Sequence, residues 1–411
     1  MLKLYNTMSR SLEEFKPRNG RTVKIFTCGP SIYRRPHIGN YRTFMYEDIL
    51  VRYLRYKGYR VDRAIPLTDI EDKTILEAIK KKKKIDELTG DIEKIFLSEM
   101  KSLNILLPEK VQRSSLCVQC AGKLIKKLIG SGHAYRHGVD IFFDPMKFSG
   151  FGKLYGLDMK RWPKRTIRFR RDTYNGNRWN LGDFILWHGY RDGDIKWWDS
   201  AVGKGRPSWN IQDPSVIIQH LGGMIDINCG GIDNIYRHHD YNIAIVESYT
   251  GATFANYYLH GAHLVVNGKP MSKSRGNIIY PEDIYRHGCG NRDLRFFLFY
   301  THYRKKLNFT ADKFKKACDK MEDFRLLARK LCVPPRSNPG RPDRLVRDII
   351  GDMQRKFETS MDNDLSIGQA FDGIYDSLGR LMRTRNLMTK SDAAELKRIL
   401  AEIDSVMAVI F

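Results

Sequence analysis

The chain has 411 residues, with 71 Lys and Arg against 47 Asp and Glu, a formal charge of +24. Its 42% hydrophobic and 29% charged residues are those of a soluble globular protein with room for more than one core, which excludes a low-complexity or fibrous chain. The cationic excess points to a polyanionic partner, RNA before others, while no apolar run spans a membrane and no leader-like segment opens the sequence, so a cytoplasmic location is expected.

Val23 to Thr27 reads as a short buried strand, and Cys28-Gly29-Pro30 closes it with turn chemistry. From Tyr41 onward Phe44, Met45, Ile49, Leu50, Tyr53 and Leu54 recur at helical spacing, so His37-Ile38-Gly39-Asn40 opens a helix. A helix N-terminus offers free N–H groups and partial positive charge, which suits a triphosphate. Gly39 admits an adenine ring close to the backbone, and His37 and Asn40 can donate hydrogen bonds to phosphate oxygens in a transition state. Taken alone, these four residues read more simply as a surface His and Asn beside a turn.

Strand, helix and strand follow each other to Thr68-Asp69, so residues 1–90 read as the first half of a split nucleotide-binding domain. Lys80 to Lys84 form an unbroken cationic run. Residues 91–205 carry mixed signals, including a strand at Asp140 to Phe143, and read as an insertion. Within it Cys117-Val118-Gln119-Cys120 has metal-like spacing, but a pair without further ligands reads as two half-buried thiols on a helix. Lys164, Arg165, Arg168, Arg170 and Arg171 cluster around Trp162 and Phe169, an RNA-like basic ribbon whose plainer reading is a solvated charged face. The second half occupies 206–285, with a strand at Met224 to Ile227 and a loop at Met271-Ser272-Lys273-Ser274. A helical stem-contact region, 286–332, begins with Leu294 to Tyr300, and a Pro/Gly-rich linker follows from Val333. Residues 343–411 carry Ile367, Ala370, Ile374, Leu378 and Leu381 at helical spacing and form a C-terminal helical bundle. The seven cysteines, an odd number without framework spacing, favour reduced thiols.

Read in order, Cys28 to Tyr33, Pro36 to Asn40, Thr68 to Lys73, Gly152 to Leu154, Asp183 to Trp187, Trp198 to Ser200 and Gly203 to Pro207 resemble cysteinyl-tRNA synthetases. Gly230 to Asp233, His238-His239, Pro270 to Asn277, and His302 to Phe309 continue the resemblance with the family's spacing. It implies an α/β fold: the class I synthetase Rossmann-like parallel sheet, with 91–205 as the connective-peptide insertion and a C-terminal helical bundle. The small domain that in the family follows the bundle and helps to read the anticodon has no counterpart before Phe411, so the expected grip on tRNA is at the acceptor stem, through the core and the basic surface.

The resemblance also implies roles. His37, Asn40 and Lys273 would be catalytic, with the Lys273 ammonium brought onto the phosphates by a loop in which Gly276 permits hinge motion. Gly39, Gly230, Gly231, Asp233 and Lys273 would bind ATP, Asp233 through the ribose hydroxyls, with Mg2+ neutralising the triphosphate. The family's first loop lysine is here Pro270. Cys28, Thr68, Trp209, Asp213, His238 and Asn242 would form the amino-acid pocket.

That pocket departs from the pattern. In the family, zinc held by two Cys, one His and one Glu binds the substrate thiolate; here Cys28 and His238 match, the second Cys is Asp213 and the Glu is Asn242. Asn228 and Cys229 stand where the family has His and Gly. Three readings stay open. Zinc remains on Cys28, Asp213 and His238, with His239, Asp240 or Cys229 helping; or the metal is gone and Asp213 awaits an amine-bearing substrate; or the pocket no longer activates an amino acid. The activity expected from the resemblance is ATP-dependent activation of an amino acid, nominally cysteine, and its transfer to tRNA by a monomer. Alternatives are a ligase that passes the activated acyl group to a small amine, as the related mycothiol ligases do, and a silent RNA-binding relative.

Overall fold

The computed structural model describes residues 1–158, 183–285, 289–333 and 343–411. The basic ribbon at 164–171 and the linker from 334 to 342 lie outside the described residues.

The central sheet has five parallel strands in the spatial order Ala255–Gly261, Ile225–Gly231, Thr22–Thr27, Arg60–Leu67 and Lys110–Arg113. The chain enters in the middle, winds outward through Arg60–Leu67 and Lys110–Arg113, then returns to build the other side from Ile225–Gly231. This reversal opens a crevice beyond the carboxyl ends of Thr22–Thr27 and Ile225–Gly231, the usual ligand site of an open α/β sheet.

Alternation along the first strand decides how the sheet is covered. Val23 and Ile25 enter one fully buried cluster with Ile49, Leu50 and Leu54 of the helix Ile38–Tyr56. Phe26 points the other way and meets Val216 and Ile217 of the helix Trp209–Leu221, and Ile243 and Val246 of the helix Asp240–Thr250. Both faces are therefore dry, as a parallel sheet requires.

The stretch from 91 to 205 contributes to two sheets. Its Lys110–Arg113 strand extends the parallel sheet beyond the expected boundary at residue 90, pairing Ala64 with Lys110 through Leu67 with Arg113. The rest forms an antiparallel sheet of Ala134–His137, Asp140–Phe143, Phe184–Gly189 and Gly205–Pro207, packed on the helix Val118–Gly130 with Trp187 fully buried between them. Cys117 is buried and Cys120 half-buried there, both free and both pushed up by burial, and among the described residues neither belongs to a metal-like cluster.

The four helices Ala311–Cys332, Arg344–Asp362, Ile367–Arg383 and Lys390–Met407 form the C-terminal part. Ile367, Ala370, Ile374, Leu378 and Leu381 are all buried, in a core continuous with that of the central sheet. Arg295, fully buried, locks the junction: it donates to Asp48 Oδ2 at 2.6 Å and to the Met407 carbonyl at 2.7 Å. His302, Tyr303 and Arg304 converge on Asp364, at 2.9 Å to its carbonyl and 2.7 and 2.6 Å to its carboxylate, so this tripeptide packs the bundle against the core.

Candidate active site

The first strand delivers Cys28 into the crevice, where its N–H donates to the Cys229 carbonyl at 3.2 Å. The turn depends on Gly29, because a Cβ there would stand 1.6 Å from the Pro66 carbonyl oxygen. Thr68 braces the same turn: its N–H donates to Pro30 and its carbonyl accepts from Ile32. His37 occupies the N-cap position of the helix Ile38–Tyr56. Asn40 turns back so that its Oδ1 accepts the His37 N–H at 3.0 Å, which leaves its amide nitrogen for outward donation. His37 Nδ1 is buried without a partner, and burial lowers the pKa of the ring, so His37 is neutral at pH 7.

The Lys273 loop lies against this helix opening. A Cβ on Gly39 would meet Met271 Cε at 2.6 Å, and the Ile38 N–H donates to the Ile279 carbonyl at 3.0 Å. Lys273 itself is exposed, in a tight turn ended by Gly276 at φ +61°. Gly230 and Gly231 end the Ile225–Gly231 strand beside the exposed Asp233. Two tetrapeptides more than 230 residues apart thus face one crevice.

Of the residues expected in the pocket, Cys28, Trp209, Asp213 and His238 come together beside the crevice. The helix Trp209–Leu221 is capped by Ser208 and carries Asp213 in its second turn, 3% exposed. His238 sits just before the helix Asp240–Thr250, in a segment kinked by Arg237 at φ +71°. The Trp209 ring stacks on His238 at 4.2 Å. Cys28 Sγ is 2.8 Å from His238 Nε2 and 3.7 Å from Asp213 Oδ2, and Nε2 is 2.8 Å from Oδ2. Asn242 is buried with its Nδ2 unpartnered. The three neighbours considered as helpers stand apart. Asp240 accepts the Leu154 and Tyr155 N–H groups at 3.0 and 3.1 Å, His239 Nδ1 pairs with His260 Nε2 at 2.8 Å, and among the described residues the ligand-like cluster contains only Cys28, Asp213 and His238.

The donor set matches a metal ion. Burial first, then the Asp213 carboxylate, push the Cys28 thiol well above its ordinary pKa, so a thiolate there needs a cation beside it. A ring nitrogen has one in-plane site, either a proton or a lone pair, so Nε2 makes one strong hydrogen bond, to Sγ or to Oδ2, and at most a shared, weaker one to the other. A cation bonded to all three satisfies them together. Sulfur, imidazole and carboxylate are the donors zinc takes, and three protein ligands leave a fourth position open.

Residues 14–319 match the family of tRNA synthetases class I (C) catalytic domain. A cysteine–tRNA ligase of Chlamydia muridarum is 34% identical over all of this chain and 88% of its own length, and one of Protochlamydia amoebophila is 32% identical over all of this chain and 86% of its own. The chain belongs to the class I cysteinyl-tRNA synthetase family. Synthetases of this class are ATP-dependent ligases. The fold agrees: a Mycobacterium tuberculosis methionyl-tRNA synthetase in complex with methionyl-adenylate superposes with a TM-score of 0.68, 15% identity, and coverage of 95% of this chain and 90% of its own. The LeuRS of an Agrobacterium radiobacter LeuRS–tRNA–LeuAMS complex gives 0.70, at 11% identity, over 97% of this synthetase and 85% of that chain.

One group at the site escaped the sequence reading. Arg35, two residues before His37, bonds Glu99 and Glu282 and lies under Tyr280. No local pattern marks an arginine whose partners are 64 and 247 residues away; its only signal is a cation adjoining the tetrapeptide His37-Ile38-Gly39-Asn40.

Proposed function

We propose that this synthetase activates cysteine with ATP and Mg2+ as the cysteinyl adenylate and transfers it to the 3′ end of a tRNA, acting as a cytoplasmic monomer. The observation that carries the reading is the convergence of Cys28, Asp213 and His238 beside the crevice that His37 and the Lys273 loop border. In this reading Cys28, Asp213 and His238 hold zinc, which when bound supplies a soft Lewis-acid position for the substrate sulfur. Trp209 walls the pocket and fixes the His238 ring by stacking.

The substrate carboxylate attacks the α-phosphorus and pyrophosphate leaves. Neutral His37 and the Asn40 amide donate to phosphate oxygens at the helix opening, where the backbone N–H groups already favour anions. Lys273 adds a mobile point charge to oxygens whose positions change during reaction, and Asp233 accepts from the ribose hydroxyls. The charge of +24 supports a tRNA partner.

The test is exchange of labelled pyrophosphate into ATP across the standard amino acids and small amines. Exchange with cysteine alone is expected. Exchange only with an amine-bearing compound would instead assign Asp213 to a cationic substrate, and no exchange with any amino acid, tRNA included, would refute the activity.

A further inference from the structure

We propose that Arg35 is a positioning residue, which holds the exit of the Lys273 loop in register with the helix opening at His37 and so sets where the Lys273 ammonium meets the triphosphate. The inference rests on the function proposed above for Lys273.

Lys273 is exposed, so its place is decided by how the loop is anchored and not by packing of its own side chain. On the entry side, Lys269–Pro270 pairs with Val265 and Val266 in a small sheet that also holds Leu307–Phe309. Inside the loop, the Pro270 carbonyl accepts from Asn277 Nδ2 at 3.1 Å and the Ser272 N–H donates to Asn277 Oδ1 at 2.9 Å, which makes residues 270–277 a compact unit. That unit moves only as its two ends allow.

On the exit side Ile284 is buried in the core and Ile279 packs against it, and one guanidinium supplies the charged anchor. Arg35 Nη1 is 2.7 Å from Glu282 Oε1 in the short helix Pro281–Tyr285, and its carbon lies 5.0 Å from the Tyr280 ring centroid. Its opposite edge, through Nε and Nη2, bonds Glu99 Oε1 on the helix Ile85–Ser102, and Glu99 Oε2 accepts from Tyr41 of the helix Ile38–Tyr56 at 2.5 Å. The planar fork lets a single side chain hold both carboxylates from opposite edges in a fixed geometry, which a lysine's rotating ammonium does not impose. Arg35 therefore ties the loop exit to the helix that His37 opens. Two further ties act at this end: the Ile38 N–H donates to the Ile279 carbonyl at 3.0 Å, and the Tyr285 side chain hydrogen-bonds Ser102.

The Glu99 side of this bridge is largely buried, whereas the Glu282 side chain is 50% exposed. The anchor is thus fixed to the core at one edge and releasable at the other, and its grip weakens with salt. A loop displaced by about 1 Å loses up to about 10²-fold in rate when the group it carries acts in the transition state.

Two measurements on the full chain test this. In pyrophosphate exchange with cysteine, Glu282→Gln is expected to lower kcat about 5- to 20-fold with KM for cysteine unchanged, and to cause no further loss in a Lys273→Ala background. Unchanged kcat, a raised KM for cysteine, or a loss that multiplies with that of Lys273→Ala would overturn the role. In limited trypsinolysis with the cut sites mapped by mass spectrometry, Arg35→Ala and Glu282→Gln are each expected to speed cleavage after Lys273 or Arg275 at least about 5-fold, by freeing the loop to open. Equal cleavage rates would overturn the anchor whether or not the wild type exchanges pyrophosphate, whereas loosened cleavage without wild-type exchange would refute only the assigned activity.

Discussion

Replacing Asp213 by alanine tests the metal reading most directly. The carboxylate is 3% exposed and its Oδ2 is 2.8 Å from His238 Nε2, so the substitution removes one of three convergent donors. Zinc in small four-ligand sites binds with about 10–16 kcal/mol, roughly 2.5–4 kcal/mol for each ligand. Losing one donor should therefore weaken zinc by about 10²- to 10³-fold, since about 1.4 kcal/mol is tenfold. Asp213→Cys keeps three donors and exchanges oxygen for softer sulfur, so it should retain the ion. The assay is competition against a chromophoric chelator, with elemental analysis of protein purified in zinc-replete buffer. Wild-type protein without stoichiometric zinc, or Asp213→Ala with wild-type affinity, would refute the reasoning and leave Asp213 as a carboxylate for a cationic substrate.

Lys273→Ala should reduce adenylate formation by about 10²-fold or more while tRNA affinity in a filter-binding assay stays within about 2-fold, because the ammonium acts on developing phosphate charge; a small rate change would remove it from the chemistry. Gly29→Ala sets a Cβ 1.6 Å from a backbone oxygen of the neighbouring strand, which cannot rotate away. A loss of roughly 3 kcal/mol or more, seen as a Tm fall of at least about 3 °C together with loss of zinc, is expected. Burial depresses His260 from its ordinary 6.5 to about 3. The unfolded chain then binds a proton that the folded chain refuses, so this contribution to stability is complete above pH 6.5 and is lost as pH falls toward 3, by about 2 kcal/mol at pH 5. Urea melts at pH 7 and 5, with His260→Gln as the control that reduces the difference while buried His239 and His188 keep the remainder, check the sign.

Much of the site was legible because it is local. The helical spacing from Tyr41 onward and the turn at Cys28 to Pro30 place His37 at a helix opening without reference to any distant residue. The strands at Thr22–Thr27 and Ile225–Gly231 and the bundle helix Ile367–Arg383 are likewise written in their own apolar patterns. Lys110–Arg113 was not legible as a sheet strand, since four half-buried residues without apolar alternation say nothing about their neighbour. The tripeptide from His302 to Arg304 gave no sign that Asp364 is its common partner.

By itself the sequence determined the family, the elements that border the crevice, and the chemical types of the residues expected in the pocket, all properties of short segments or of their order along the chain. Only the tertiary structure decided that Cys28, Asp213 and His238 stand within ligand distance, that Asp240 and His239 are bonded elsewhere, and that one arginine spans two carboxylates around the Lys273 loop. The physical reason is that parallel strands are paired across long crossovers: register between Thr22–Thr27 and Ile225–Gly231, about 200 residues apart, brings Cys28 beside Cys229, and no local propensity encodes that pairing.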